Sequence, residues 1–194
     1  MKSLKVEIKG IEPLLINNPQ QVDPFNKYAK ASKEITAKRK KTHEDLLKLR
    51  EIEIESKLYF DDEIGVWVPS TWITAAIAAQ SWAKAKIKKA EIRSCVFVNE
   101  SKIKLKYKGM DKVTSKVDVV KNEMFHTVLN LKQGQVRVCK AAPIFQDWSI
   151  EFEILFDDTI INESDLRNLL DIASKFGGFG DFRPTYGRAM ATFS

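Results

Sequence analysis

The sequence has 194 residues, of which 44% are hydrophobic, and this size and apolar content suit a single domain with a hydrophobic core. No apolar run reaches the roughly 18 residues that a membrane-spanning helix needs, and residues 1–10 lack the apolar stretch of a signal peptide, so we expect a cytoplasmic protein without a membrane partner. The two cysteines and two histidines do not follow metal-ligand spacing, so we expect neither a metal nor another cofactor.

The net charge of +6 is distributed unevenly along the chain. Residues 84–140 contain 15 Lys and Arg against 5 Asp and Glu, whereas the rest of the chain is mildly acidic. A concentrated basic segment favours a polyanionic partner. The alternative is a lysine-rich surface that only interacts with water.

The first half of the chain predicts a strand, a charged helical segment and a small-residue helix. Residues 4–11 alternate, with Leu4, Val6 and Ile8 on one face and charged residues on the other, which indicates a half-buried strand with a polar, partly basic second face. Residues 25–54 are highly charged and predict one or two exposed helices with a narrow buried stripe. Ser70 is a suitable N-cap for an Ala-rich helix over 71–83.

The second half predicts mainly strands, then a helix and a glycine-rich loop. Strand-like stretches cover 94–98, 103–107, 117–120, 124–131, 135–138 and 148–156, and lysines alternate with apolar residues from Lys102 to Lys108. Asn162 caps a predicted helix over 163–176, whose apolar face includes Phe176. A glycine-rich loop over 177–187 leads into a last strand, 188–193.

Without insertions, the element order is strand, helix, strand, strand, helix, strand. This βαββαβ order predicts an α+β fold of the ferredoxin-like or RRM-like type, in which two helices cover one face of an antiparallel sheet and the other face stays free. The whole chain, 1–194, is then one domain with two long insertions at about 13–68 and 99–147.

The glycine-rich loop combines the residue types that bind nucleic acid. Glycines let a backbone approach phosphate, aromatic rings stack on bases, and arginines pair with phosphate or stack. We therefore predict a non-enzymatic protein that binds single-stranded DNA or RNA through the loop and the basic insertion, and the candidate residues are Phe179, Phe182, Arg183, Tyr186, Arg188, Lys104, Lys106, Arg137 and Lys140. The alternative is a loop whose aromatic residues only pack into the core.

Two motifs resemble those of the RAMP superfamily, the RRM-like proteins of CRISPR effector complexes. The Gly178-Phe179-Gly180 and Gly187-Arg188 ending is similar to the C-terminal glycine-rich loop of that superfamily, and Val68-Pro69-Ser70-Thr71, opening an Ala-rich helix, is similar to a turn in its backbone subunits. The chain also resembles solitary phage-encoded proteins that have a lysine-rich insertion and a Gly-Asp-aromatic-Arg-Pro-x-Tyr-Gly-Arg ending. The resemblance extends over roughly half the chain.

The resemblance implies a protein that coats a single strand as a homo-oligomer. A phage relative would bind single-stranded DNA during replication or recombination, in the host cytoplasm, and a CRISPR-type relative would bind guide RNA. It also implies two alternatives, a metal-independent endoribonuclease and a phage mimic of a CRISPR subunit that inhibits complex assembly.

Residues that could support catalysis have simpler structural interpretations. His126 would be the general base of an endoribonuclease, but it lies in a predicted strand without an evident acidic partner. Asp61, Asp62 and Glu63 could hold a divalent ion, but a polar hairpin turn explains the three acids more simply. We therefore predict that the protein is not an enzyme.

Overall fold

The computed structural model describes residues 1–83, 87–133 and 135–194, without the side chains of 131–133 and 136–138. The helices are α1 (Lys27–Thr36), α2 (His43–Lys57), α3 (Thr71–Ala79), α4 (Lys89–Cys95), α5 (Lys116–Lys121) and α6 (Glu163–Ile172). The strands are β1 (Lys2–Gly10), β2 (Leu14–Leu15), β3 (Phe60–Asp61), β4 (Gly65–Pro69), β5 (Val96–Val98), β6 (Lys102–Lys104), β7 (His126–Gln133), β8 (Val136–Phe145), β9 (Ser149–Phe156) and β10 (Ala189–Phe193).

The chain is an α+β protein whose strands pair in antiparallel fashion, as the sequence predicts at this level. It forms two compact units. The first unit contains Met1–Leu15, Val66–Met110 and Phe145–Ser194, and the second contains Ile16–Gly65 and Asp111–Ile144. None of the helices that the structure describes is long and apolar enough to cross a membrane.

The first unit is organised around a four-stranded sheet with the order β10-β1-β9-β5. Its central pair aligns Leu4 with Ile154 and Val6 with Phe152, so the buried residues of both strands point to the same face. Helices α3 and α6 contact each other, and they contact β5 and β10 respectively. Leu166, Leu169 and Leu170 recur at helical spacing on α6 and are fully buried, which provides most of the apolar surface of that helix.

The second unit contains a helical hairpin and a strand hairpin. Helices α1 and α2 pack against each other, and α5 contacts α2. Strands β7 and β8 pair over their length, with His126 opposite Pro143 and Leu129 opposite Lys140. The two helices α1 and α2 lie in the charged segment where the sequence predicts one or two helices.

Several element predictions were wrong in detail. Residues 117–120, predicted as a strand, form helix α5, and the predicted strand 94–98 begins only at Val96 because α4 extends to Cys95. Helix α3 ends at Ala79, which leaves Trp82 largely exposed. The predicted helix 163–176 is α-helical only to Ile172 and continues as a π-helical turn.

Candidate nucleic-acid interface

The glycine-rich loop extends to Arg188, because β10 begins only at Ala189, and it folds back onto residues 11–15 of the same unit. The Asp181 N–H donates to the Leu15 carbonyl at 3.0 Å, and the Gly187 N–H donates to the Pro13 carbonyl at 2.9 Å. The Phe179 N–H closes the loop on the Gly187 carbonyl at 2.9 Å. These amide groups are therefore used within the fold, and the prediction that they approach a phosphate was wrong for them.

Close packing of the backbone explains a glycine in this loop. Gly180 adopts φ +75°, and a Cβ at this position would lie 2.2 Å from the Leu15 carbonyl oxygen. Only glycine combines a left-handed backbone with this approach. The glycine therefore stabilises the fold of the loop.

The three aromatic residues predicted as base-stacking groups occupy different environments. Phe179 is 2% exposed, and its ring meets the edge of Trp148 at a centroid distance of 6.3 Å. A nucleobase cannot stack on a buried ring, so the assignment of Phe179 to the interface was wrong and the residue belongs to the core. Phe182 is 37% exposed, and Tyr186 is half-buried.

The two arginines of the loop also differ. Arg188 is half-exposed, and its guanidinium donates to a Glu12 carboxylate oxygen at 2.7 Å. Arg183 is exposed and has no ion pair or hydrogen bond with any residue that the structure describes. Arg183 is therefore the loop cation most available to a ligand.

A groove beside the loop contains an aromatic residue that the sequence assigned to the core. It is lined by Glu12, Lys175, Phe176, Pro184, Thr185 and Arg188. The π-helical turn, Ala173–Gly177, adds a residue per turn and rotates Phe176 away from the buried face of α6, so this ring is 71% exposed. The helical periodicity gives no signal of this turn, which is why sequence reasoning missed Phe176.

The lysine row, defined here as Lys102, Lys104, Lys106 and Lys108, lies along β6 and the residues that follow it. All four side chains are exposed, whereas the intervening Ile103, Leu105 and Tyr107 are buried. Strand pairing fixes this pattern, since Val68 is opposite Ile103 and a bridge joins Lys106 to Ser149 of β9. The predicted alternation of lysine and core residues is confirmed.

Three lysines of the row contact neighbouring groups at the surface. Lys102 lies 5.4 Å from the centre of the Trp67 ring, Lys106 lies 2.5 Å from Glu151, and Lys108 lies 3.6 Å from Asp147. Lys104 forms no ion pair with the described residues. Exposed pairs of this kind contribute about 0–1 kcal/mol, so a phosphate can replace them at little cost.

The free face of the four-stranded sheet is polar and carries charges of both signs. Lys5 lies opposite Glu153, and Glu7 lies opposite Glu151. A depression on this face is lined by Lys5, Val6, Glu7, Glu100, Glu151, Phe152, Glu153 and Ser194. Acidic residues outnumber lysines in this depression, although β1 presents Lys5 and Lys9 on its exposed side, so the lysine row is the more strongly basic surface.

The remaining predicted contact residues lie on β8 in the second unit. Lys140 is exposed. The side chain of Arg137 lies outside the described part of the chain, and its backbone pairs with that of Lys132. Both assignments stay predictions.

The candidate catalytic residues have structural partners. The Nε2 of His126 donates to the Val119 carbonyl at 2.8 Å, which ties β7 to α5. A carboxylate oxygen of Asp61 accepts from the Glu63 N–H at 3.1 Å, as expected in a tight turn. The described residues contain no group of three or more acidic, cysteine or histidine side chains arranged to hold a metal ion.

Two comparisons with known proteins found no match. No protein-family model matches the chain, and no curated protein matches it at a significant level.

Proposed function

We propose that this protein binds single-stranded nucleic acid without catalysing a reaction. The observation that carries the proposal is the lysine row, which places four exposed cations along one extended segment. Alternate residues of a strand are about 6.6 Å apart, a spacing suited to successive phosphates of an extended polynucleotide. Such cations attract any polyanion, because contact with phosphate releases condensed counterions.

Exposed aromatic rings support a single strand as the ligand. Phe176 is 71% exposed and Phe182 is 37% exposed, on either side of the folded part of the glycine-rich loop. Rings of this kind stack on unpaired bases, which a duplex keeps inside its own stack. Arg183 adds an exposed guanidinium that can pair with phosphate bidentately.

We further propose a ferredoxin-like core and a relationship to the RAMP superfamily. The strand order β10-β1-β9-β5 supports this. If these four strands are numbered one to four along the chain, their order in the sheet is 4-1-3-2, as in a ferredoxin-like sheet. The first unit without β2, β4, β6 and α4 then follows the βαββαβ plan. A phage-encoded relative would act on single-stranded DNA in the host cytoplasm, and a CRISPR-type relative would act on guide RNA; both would coat the strand as a homo-oligomer.

The test is a binding series on labelled single-stranded DNA, single-stranded RNA and duplex of roughly thirty nucleotides. Fluorescence anisotropy measured from about 50 to about 200 mM salt gives both the affinity and its salt dependence. We expect single strands to bind more tightly than duplex, with affinity falling steeply as salt increases.

The double variant Lys104→Gln/Lys106→Gln locates the interaction. Each lost phosphate contact lowers the slope of log affinity against log salt by about 0.7 for a single strand, so the slope should decrease by about 1.4. Lys2→Gln/Lys48→Gln removes the same charge from exposed positions elsewhere and should leave the slope unchanged. Equal behaviour of the two double variants, or binding that does not depend on salt, would contradict the proposal.

A further inference from the structure

The strongest local concentration of positive charge lies outside the segment singled out by the sequence analysis. Residues 27–43, here called the basic arm, comprise α1, the turn after it and the first residue of α2. They contain seven basic residues and one acidic residue, Glu34, a net charge of +6. All seven basic side chains are exposed: Lys27, Lys30, Lys33, Lys38, Arg39, Lys40 and Lys41.

The basic arm is a folded element. Tyr28 and Ile35 of α1 are buried against Ile52 of α2, and Asn26 caps α1 by accepting from the Tyr28 N–H. The Tyr28 hydroxyl donates to Glu55 at 2.7 Å, and burial, together with this carboxylate, raises the pKa of Tyr28. The packing holds α1 and its three exposed lysines against α2, which lowers the entropic cost of binding for these lysines.

The turn of the basic arm leaves its cations largely unneutralised. Glu44 and Asp45 are the first acids after the turn, and the Asp45 carboxylate accepts from the Thr42 N–H at 3.0 Å and from Lys38 Nζ at 2.5 Å. Residues 36–43 contain no acid. Arg39 and Lys40 form no ion pair with any residue in the described part of the chain.

An exposed aromatic ring lies two residues before the basic arm. Phe25 is 79% exposed, and Lys30 Nζ lies 6.0 Å from the centre of its ring. Cations next to exposed aromatic rings are the combination that binds unpaired nucleotides, through phosphate and base respectively.

We infer that the basic arm, together with Phe25 just before it, is a second nucleic-acid contact surface, in which Arg39, Lys40 and Lys41 bind phosphates and Phe25 stacks on a base. This inference rests on the proposed function, since it takes the same single-stranded ligand. It assigns a role to the second unit that neither the glycine-rich loop nor the lysine row requires.

The test compares two triple variants of equal charge in the full chain. Arg39→Gln/Lys40→Gln/Lys41→Gln removes three cations from the turn, and Lys2→Gln/Lys48→Gln/Arg50→Gln removes three exposed cations elsewhere. With a single-stranded DNA of roughly thirty nucleotides, the turn variant should lower the salt slope by about 2 and weaken binding on the order of tenfold at low salt, while the control changes neither. Both variants should retain the melting temperature of the unmodified chain, because all six side chains are exposed.

A second pair of variants tests the aromatic contact. Phe25→Ala should weaken binding about tenfold with an unchanged salt slope, because stacking does not release counterions. Val22→Ala, at a side chain that is 84% exposed but not aromatic, should have no effect.

The outcomes separate the two proposals. If the unmodified chain binds single strands and the two triple variants have equal slopes, the basic arm is not a contact surface and the proposed function stands. If the unmodified chain binds no oligonucleotide, the proposed function fails. If the turn variant instead loses only binding to vesicles containing phosphatidylserine, the arm recognises an anionic membrane and the inference is overturned.

Discussion

Three phenylalanines within seven residues show how environment decides the role of a side chain. Phe176 is 71% exposed, Phe179 is 2% exposed and Phe182 is 37% exposed. The same ring chemistry therefore fills the core at one position and remains available for stacking at the other two. Backbone direction decides between these roles: the π-helical turn rotates Phe176 outward, whereas the hydrogen bond from the Phe179 N–H to Gly187 holds Phe179 in the closed part of the loop.

The glycine-rich loop gives a prediction at the residue scale. Gly180→Ala should lower the free energy of unfolding on the order of 3 kcal/mol, because the new Cβ occupies a left-handed position and overlaps the Leu15 carbonyl. Urea unfolding measures this change.

Gly65 provides the matched control for Gly180. It adopts φ +84°, yet a Cβ there would meet nothing within 4 Å. Gly65→Ala should therefore lower the free energy of unfolding only by the cost of a left-handed backbone at alanine, about 1 kcal/mol. Equal destabilisation by the two substitutions would show that the close contact with Leu15 does not stabilise the loop.

Helix α5 illustrates how a local cap can outweigh an apolar pattern. Val117, Val119 and Val120 are β-branched residues, and for this reason the sequence was interpreted as a strand. A capping box between Ser115 and Asp118 nucleates a helix instead. The helix buries Val119 and Val120 on one side and leaves Val117 exposed.

This capping box predicts a pH dependence of stability. One carboxylate oxygen of Asp118 accepts from the Thr114 N–H at 2.9 Å and from the Ser115 N–H at 2.8 Å, and from both hydroxyls. These hydrogen bonds, that of the Thr114 N–H first, lower the pKa of Asp118 to about 2. Because the pKa in the folded state is below the ordinary value, the ionised carboxylate stabilises the fold at neutral pH, and this stabilisation is lost as the pH falls towards about 2.

The measurement is the melting temperature of the unmodified chain and of Asp118→Asn across a pH series. The unmodified chain should be more stable at neutral pH, and the difference should shrink between about pH 5 and about pH 2. Asp62→Asn, in an exposed turn, serves as the control. A difference that stays constant down to acid pH would mean that the ionised carboxylate does not stabilise α5.

At the scale of the whole molecule, positive charge is concentrated on local surfaces. The net charge summed over a long stretch of sequence does not reveal these surfaces. Outside residues 84–140 the chain is mildly acidic on average, yet this remainder contains the basic arm. Helix α2 follows the arm and, with five acids against three basic residues, offsets only part of its charge; acids elsewhere in the remainder offset the rest. Folding exposes the arm's cations together, so the relevant sum is taken over a surface and not over the chain.

The proposed coating role predicts self-association on a long strand. Light scattering of the protein with a single-stranded DNA of several hundred nucleotides should show many 22.2 kDa copies per strand, spaced at a site of roughly ten nucleotides. Bound copies should cluster at low coverage, because contacts between neighbours make binding cooperative. A single copy per long strand at saturating protein would exclude coating.

The sequence by itself determined the features that depend on local periodicity and composition. Alternation defined β1, β9 and the lysine row, helical spacing defined most of α6, and the element order gave the α+β class. These follow from the sequence because strand and helix geometry repeat every two and 3.6 residues, so neighbours along the chain share a face.

Only the tertiary structure decided which residues of the candidate site meet solvent and which meet the core. The burial of Phe179, the exposure of Phe176, the pairing of Arg188 with Glu12 and the acidic depression on the free sheet face all depend on residues far apart in the chain. Glu12 and Arg188 are 176 positions apart, and no local pattern relates them. Long-range packing brings such residues together, because buried area and hydrogen bonds are gained only when distant segments meet.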